Sequence, residues 1–189
     1  FIEWGFNTPL KSLISFSMNK QNFYDLNFDQ LKNFLIEKVE IDDKKAKMRA
    51  QQMFNAVYKK NIKNFDELTT FGLELREKIK NLISLDKPKI IDIQKSKDGT
   101  IKFLLELKDK RNVETVLIPD KSQSRYTICL SVSVGCYLSC EFCATAQISK
   151  KLVRNLTPGE IISQIILSKD YIDDWSTQKK ITNQVLMGE

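Results

Sequence analysis

At 189 residues and 42% hydrophobic content, the chain is long enough to bury a core and to form one domain or two small ones. Thirty Lys and Arg against 24 Asp and Glu give a net charge of +6, which permits a nucleic-acid partner without requiring one; the absence of histidine removes the usual partner in mixed zinc sites. Three of the four cysteines fall within eight residues, a grouping unlike a secreted disulfide framework that points to metal chemistry in a reducing compartment, by default the cytoplasm.

Residues 1–21 show no clear period and carry no motif, and they read as an arm. Their apolar character is interrupted by Glu3, Asn7, Pro9 and Lys11, too short and broken a run to span a bilayer or to act as a signal peptide, so no membrane partner is expected. A first residue other than Met suggests a fragment or a translated reading frame. From Tyr24 the apolar spacing becomes helical. Phe28, Leu31, Phe34, Leu35 and Val39 predict a first helix, with Asn27 or Asp29 to cap it. Asp42 and Asp43 precede a second, whose apolar face is read as Ala46, Met48, Ala50, Met53, Phe54, Val57 and Tyr58. A short helical piece near Asp66 to Leu68 and a last one in LELREKIKNLI complete an all-helical module over 22–87. Lys44, Lys45, Lys47 and Arg49 could contact phosphates, although such a run is more often a solvated helix face.

After Pro88 the period changes from 3.6 to 2. KIIDIQ, TIKFLLEL and NVETVLIP predict three strands over a linker of 88–125, and Asp98-Gly99 is a strong hairpin signal. They form an antiparallel meander in this reading. A fourth strand, YTICLSVSV, places Ile128, Leu130, Val132 and Val134 on one face and Cys129, Ser131 and Ser133 on the other. Cys129 is therefore either a small buried hydrophobe or a functional thiol grouped with serines. Farther on, Thr157, Pro158 and Glu160 mark a helix start, Ile161, Ile162, Ile165, Ile166 and Ile172 supply its buried stripe, and ITNQVLM reads as the next core strand. Strand, cysteine loop, helix and strand over 126–189 make one β-α-β unit with parallel pairing, so the expected class is α/β, or α+β overall. The loop then follows the C-terminal end of its strand, where β/α barrels carry their chemistry.

The loop itself reads Cys136-x-x-x-Cys140-x-x-Cys143, with Phe142 before the last cysteine. Thiolates select soft metals. A structural zinc site takes four protein ligands, and so does a four-iron cluster closed by cysteines. Three thiolates on such a cluster leave one iron for a ligand that is not protein. A zinc site completed by Cys129, or a set of buried thiols, are the alternatives.

On these residues the chain resembles the radical S-adenosylmethionine (radical SAM) enzymes. Within them it resembles the adenine carbon-2 RNA methyltransferases acting on large-subunit ribosomal RNA and transfer RNA. The branch resemblance rests on FYDLNFDQL, RAQQMFNAVY, SKDGTIKF, VETVLIP, TICLSVSVGCYLSCEFCATAQ, VRNLTPGEII and ITNQVLMGE, which lie in the family's order across residues 22 to 189. It implies that Cys136, Cys140 and Cys143 hold a [4Fe-4S] cluster, that SAM takes the open iron and is cleaved to a deoxyadenosyl radical, and that Phe142 lies near the adenine. It also implies that Glu114 is a proton-transfer carboxylate, that Cys129 resolves a protein-RNA adduct, and that the partners are rRNA and tRNA with flavodoxin or ferredoxin as electron donor, the protein being a monomer. Gly188 and Glu189 match the SAM-contacting pair, or Glu189 replaces a methionine. The loop between Cys143 and Arg154 is two residues longer than the family pattern, and the family's methyl-carrying cysteine has no counterpart before residue 189. The expectation is thus a truncated barrel that would not methylate RNA by itself, with two rivals: an RNA-binding fragment without catalysis and a zinc-stapled four-cysteine protein.

Overall fold

The computed structural model describes residues 20–120, 122, 124–136, 140–143 and 154–187. The first layer is helical. Strand β1 (Gln21–Asn22) pairs in parallel with β2 (Ile83–Ser84), bringing the two ends of the helical layer together. Between them lie a 3-10 turn at Phe23–Asp25, α1 (Phe28–Glu37), α2 (Asp43–Tyr58), a second 3-10 turn at Phe65–Glu67 and α3 (Leu73–Leu82).

The helix starts follow local chemistry. Asn27 Oδ1 accepts from the Gln30 N–H and Gln30 Oε1 accepts from the Asn27 N–H, both at 2.9 Å, a reciprocal capping box that satisfies two donors the first turn leaves over. Asn27, not Asp29, is the cap, and Tyr24 lies in the 3-10 turn ahead of the helix. Asp42 accepts from the Lys44 N–H to open α2. Phe23, Leu31, Leu35, Met53 and Ile79 are fully buried together, and the Phe23 ring meets Phe54 at 5.4 Å and Tyr58 at 5.8 Å between centroids. Met48, placed on the apolar face by its spacing, is 50% exposed; its neighbours Ala46 and Ala50 alone face the core on that turn.

The second layer is a five-stranded sheet. Strands β3 (Lys89–Lys95), β4 (Ile101–Glu106), β5 (Asn112–Asp120) and β6 (Arg125–Ser131) pair antiparallel in sequence order. The turn between β3 and β4 contains Gly99 at φ 95°, which the Asp-Gly signal predicts, and Asp98 Oδ1 accepts from the Thr100 N–H. Two short strands, β7 (Ser133–Val134) and β8 (Arg154–Asn155), pair antiparallel with each other beyond the end of β6. Helix α4 (Pro158–Ile172) then crosses back, and β9 (Ile181–Met187) joins the sheet parallel to β6. The buried Asp174 carboxylate accepts from the Lys180 and Ile181 N–H groups and so sets the start of β9. The class is α/β, with one parallel β-α-β unit appended to an antiparallel meander. The strand expected as continuous from Tyr126 to Val134 is broken at Val132. Ser133, expected beside Cys129, is instead buried in the small β7–β8 ladder.

Helix α4 is the wall shared by both layers. Ile162 and Ile166 pack on the helical core, whereas Ile161, Ile165, Tyr171 and Ile172 pack on the sheet core. Its most buried positions are not the expected isoleucine stripe. Among the isoleucines only Ile166 is fully buried, alongside Gly159, Ser163, Gln164 and Ser168. A helix contacted from two sides needs small residues where backbones approach. Gly159 illustrates this: its N–H donates to Asp25 Oδ1 at 2.7 Å, and a Cβ there would lie 2.5 Å from that oxygen and 3.1 Å from the Asp25 backbone nitrogen. Gly159→Ala is therefore expected to cost about 1–3 kcal/mol in urea unfolding, as overpacking does elsewhere. A loss below ~0.5 kcal/mol, the ordinary surface value, would mean that the two layers do not press together at this point.

Candidate active site

The three clustered cysteines lie just past the C-terminal end of β6. Ser131 ends the strand, Val132 releases the chain into β7, and Gly135 at φ 77° makes the turn that glycine tolerates before Cys136. Cys136 is 6% exposed, and Cys140 and Cys143 are half-buried. The Cys143 N–H donates to the Cys140 carbonyl at 3.0 Å, so these two lie on one tight turn. None of the four cysteines is in a disulfide. Phe142 on the same turn is 92% exposed, an open aromatic face.

Both ends of the loop are tied to the first turns of α4. At the entrance, the fully buried Gln164 acts as a short strand. Its Oε1 accepts from the Ser131 N–H at 3.0 Å and from Thr115 Oγ1 at 2.7 Å, and its Nε2 donates to the Ser131 carbonyl at 2.9 Å. At the exit, Arg154 on β8 makes a two-pronged contact with Glu160, at 2.7 and 2.8 Å, while its Nε donates to Asp109 Oδ2 at 2.9 Å. Glu160 also accepts from the Thr157 N–H at 2.9 Å, completing the capping box of the helix. The Arg154 guanidinium holds the Asp109 carboxyl below its ordinary value, and the two carboxylates hold Arg154 protonated. Glu160 and Gln164 stand one helical turn apart, so one helix end holds both ends of the loop.

The other candidates lie on the open face of the sheet. Cys129 is paired in register with Val116 on β5 and Val185 on β9, in the same row. Glu114 stands two residues before Val116; its Oε1 is 2.9 Å from Lys102 Nζ, and its carbonyl accepts from Ser131 Oγ at 2.7 Å. Glu114 and Cys129 are thus diagonal neighbours, about 7–8 Å apart by sheet geometry. The opposite face, with Ile128, Leu130 and Thr115, is sealed against α4. Gly188 and Glu189 lie outside the described residues.

By type, three thiols on one loop fit a soft metal or an iron-sulfur cluster. Among the described residues no three Cys, Asp or Glu groups are gathered closely enough to hold a metal ion. Cys129 is held mid-strand by partners on both sides, with Ser131, β7 and Gly135 between it and the loop. On α2, Lys44, Lys45 and Lys47 are exposed, but Arg49 is committed: it donates to Gln52 and to the Thr70 carbonyl and stacks over Phe71 at 4.7 Å. A cleft of about 550 Å³ opens between Asn22, Lys87, Glu106 and Thr157, with no cysteine in its wall. No described helix is long and apolar enough to cross a membrane. Gln164, Asp109 and the role of Arg154 escaped the sequence reading; the one local signal was Glu160 of the capping box, four residues before Gln164.

Comparison with known proteins follows the same outline. Residues 21–85 match the model of the ribosomal RNA large subunit methyltransferase N-terminal domain. The dual-specificity RNA methyltransferase RlmN of Oleidesulfovibrio alaskensis is 38% identical over 164 residues, covering 87% of this chain and 44% of the relative. That of Parvibaculum lavamentivorans is 41% identical over 160 residues, 78% of this chain and 39% of the relative. The crystal structure of a radical SAM methyltransferase from Sphaerobacter thermophilus superposes with a TM-score of 0.73 at 30% identity, over 89% of this chain and 46% of the other. The chain thus spans less than half the length of each of these relatives.

Proposed function

Since the chain belongs to the RlmN-type family of radical SAM RNA methyltransferases, we propose that it serves methylation of carbon 2 of adenine in ribosomal and transfer RNA. The observation that supports this reading is the loop with Cys136, Cys140 and Cys143, tied at both ends to α4 beyond the C-terminal end of a strand in a parallel β-α-β unit. These three thiolates would hold a [4Fe-4S] cluster. When bound, the cluster and SAM supply the one-electron chemistry of the reaction.

The remaining tasks fall to side chains of the open sheet face. Glu114 is the carboxylate that accepts a proton at its Oε atoms, with the Lys102 ammonium 2.9 Å from Oε1 to orient it. Cys129, a diagonal neighbour, supplies a thiolate sulfur for resolving a bond between protein and RNA. Phe142, exposed on the cysteine turn, offers a ring for stacking an adenine. Gly188 and Glu189 would contact SAM. Lys44, Lys45 and Lys47 would meet RNA phosphates. The reading includes a helical module over 22–87, a linker over 88–125 and barrel sequence from 126 to 189. It also includes a small electron-transfer protein as reductant, a monomeric state and a cytoplasmic location.

Anaerobic reconstitution with iron and sulfide, followed by electron paramagnetic resonance of the reduced protein with and without SAM, tests the reading. A four-iron signal that shifts on adding SAM is expected. Cys136→Ser, Cys140→Ser and Cys143→Ser should each lose that iron, and Cys129→Ser should keep it. Equal loss in Cys129→Ser, or stoichiometric zinc in place of iron, would overturn the three-thiolate reading in favour of a four-cysteine zinc site. No metal at all, with RNA binding retained, would leave an RNA-binding module.

A further inference from the structure

We propose that Arg154 is a positioning residue for the three-thiolate loop: through Glu160 and Asp109 it holds the loop's exit against α4, opposite the entrance held by Gln164, so that the thiols of Cys136, Cys140 and Cys143 converge on one centre at a smaller cost in entropy. The proposal rests on the three-thiolate reading above and adds a residue to it.

The geometry is specific to an arginine. A planar guanidinium reaches both oxygens of one carboxylate and still has its Nε for a second, and here it does both, at 2.7 and 2.8 Å to Glu160 and 2.9 Å to Asp109. The three partners come from different places in the chain: the β4–β5 turn (Asp109), β8 (Arg154) and the first turn of α4 (Glu160). Arg154 is in register with Val134, so its fixation is passed directly to the β7 strand that leads into Cys136. Among the described residues the β7–β8 ladder has two residue pairs, extended by a bond from the Leu156 N–H to the Val132 carbonyl at 2.8 Å, and Arg154 adds side-chain contacts to this short ladder. Glu160 is 18% exposed and Arg154 30%, which partly shields their contact from competing water, whereas Asp109, at 38%, is the more open partner. A loop whose two ends are fixed loses less entropy when its thiols converge, so the clasp acts on ligand affinity even though it touches no thiol.

Arsenite tests this without iron or SAM. As(OH)₃ condenses with three thiols to give As(SR)₃ and three waters, with no change of oxidation state. The reduced wild-type chain, with its four cysteines, is expected to bind one arsenite and leave one thiol open to a colorimetric thiol reagent. Arg154→Met is expected to bind arsenite about 10- to 100-fold more weakly, the usual effect of removing an outer support of a metal site. Arg154→Lys should recover part of the loss, because it keeps the charge and forfeits the second prong. Asp109→Asn, which leaves the Glu160 contact intact, should give a smaller loss in a chain that still folds. Asp170→Asn serves as the matched control, since it weakens the seam between the layers without touching the loop. Thermal unfolding of every variant separates loss of fold from loss of clasp. Unchanged arsenite affinity in folded Arg154→Met and Asp109→Asn, or an equal loss in Asp170→Asn at equal stability, would overturn the proposal. A wild-type chain that keeps more than one thiol at saturation would sink the three-thiolate reading and the clasp together.

Discussion

Gln164→Leu is expected to lower unfolding stability by about 3–4 kcal/mol, a larger loss than that expected of Gly159→Ala. The side chain is fully buried and meets Ser131, the last residue of β6 before the cysteine loop, twice and Thr115 of the neighbouring β5 once. Leucine fills a similar volume, so little of the loss arises from packing. The loss comes from leaving the Ser131 N–H, the Ser131 carbonyl and the Thr115 hydroxyl without this partner, at about 1–3 kcal/mol for each group that finds no other. Gln164→Glu makes a sharper comparison. It keeps an acceptor and loses the donor to the Ser131 carbonyl, and at neutral pH it buries a charge, so its stability should fall as pH rises. Urea titration of both variants at pH 5 and pH 8 provides the check. A Leu variant within ~1 kcal/mol of wild type would show that other groups replace the amide, and the entrance of the loop would then not depend on it.

Asp170→Asn is expected to cost about 2–3 kcal/mol near neutral pH, because the Asp170 carboxylate gathers charged hydrogen bonds from three segments. Its Oδ1 accepts from Asn61 Nδ2 and Lys63 Nζ, both at 2.8 Å, and from Trp175 Nε1 at 2.9 Å; its Oδ2 accepts from Lys87 Nζ at 3.1 Å. The helical layer, the linker and α4 therefore meet on one carboxylate. Burial by itself would raise its pKa, but the hydrogen bonds from Lys63, Asn61 and Lys87 outweigh burial, and the carboxyl titrates below its ordinary value. The sign follows from linkage. A carboxyl with a depressed folded pKa contributes fully above its unfolded pKa, about 3.9, and loses that contribution as pH falls through the folded value. The stability gap between wild type and Asp170→Asn should thus be flat from pH 8 to about pH 5 and close at more acid pH. Paired denaturation curves across that range read it directly. A gap that stays constant down to pH 3 would show that the charge on Asp170 contributes nothing to the seam.

Legibility in the sequence followed the range of the interaction. Helices α1 to α4 and strands β3 to β6 and β9 were readable because each carries its own period or cap, as in the Asn27–Gln30 and Thr157–Glu160 boxes. Where a period was read too literally it failed. Met48 fits the helical spacing yet points to solvent, and the alternation through Ser133 hid the break at Val132. The isoleucines of α4 suggested one buried stripe, whereas two cores flank the helix and its small and polar residues take the closest contacts.

By itself the sequence determined the order of the longer elements, the α/β class and the loop of three thiols, since spacing, capping and turn chemistry are local properties of neighbouring residues; the short strands β1, β2, β7 and β8 carried no such signal. Only the tertiary structure decided how that loop is held. Gln164 reaches Ser131 across 33 positions, Arg154 reaches Asp109 across 45, and Asp25 reaches Gly159 across 134. No periodicity marks such pairs, because a buried polar side chain is satisfied by whichever groups the packing of separate elements brings within hydrogen-bond distance.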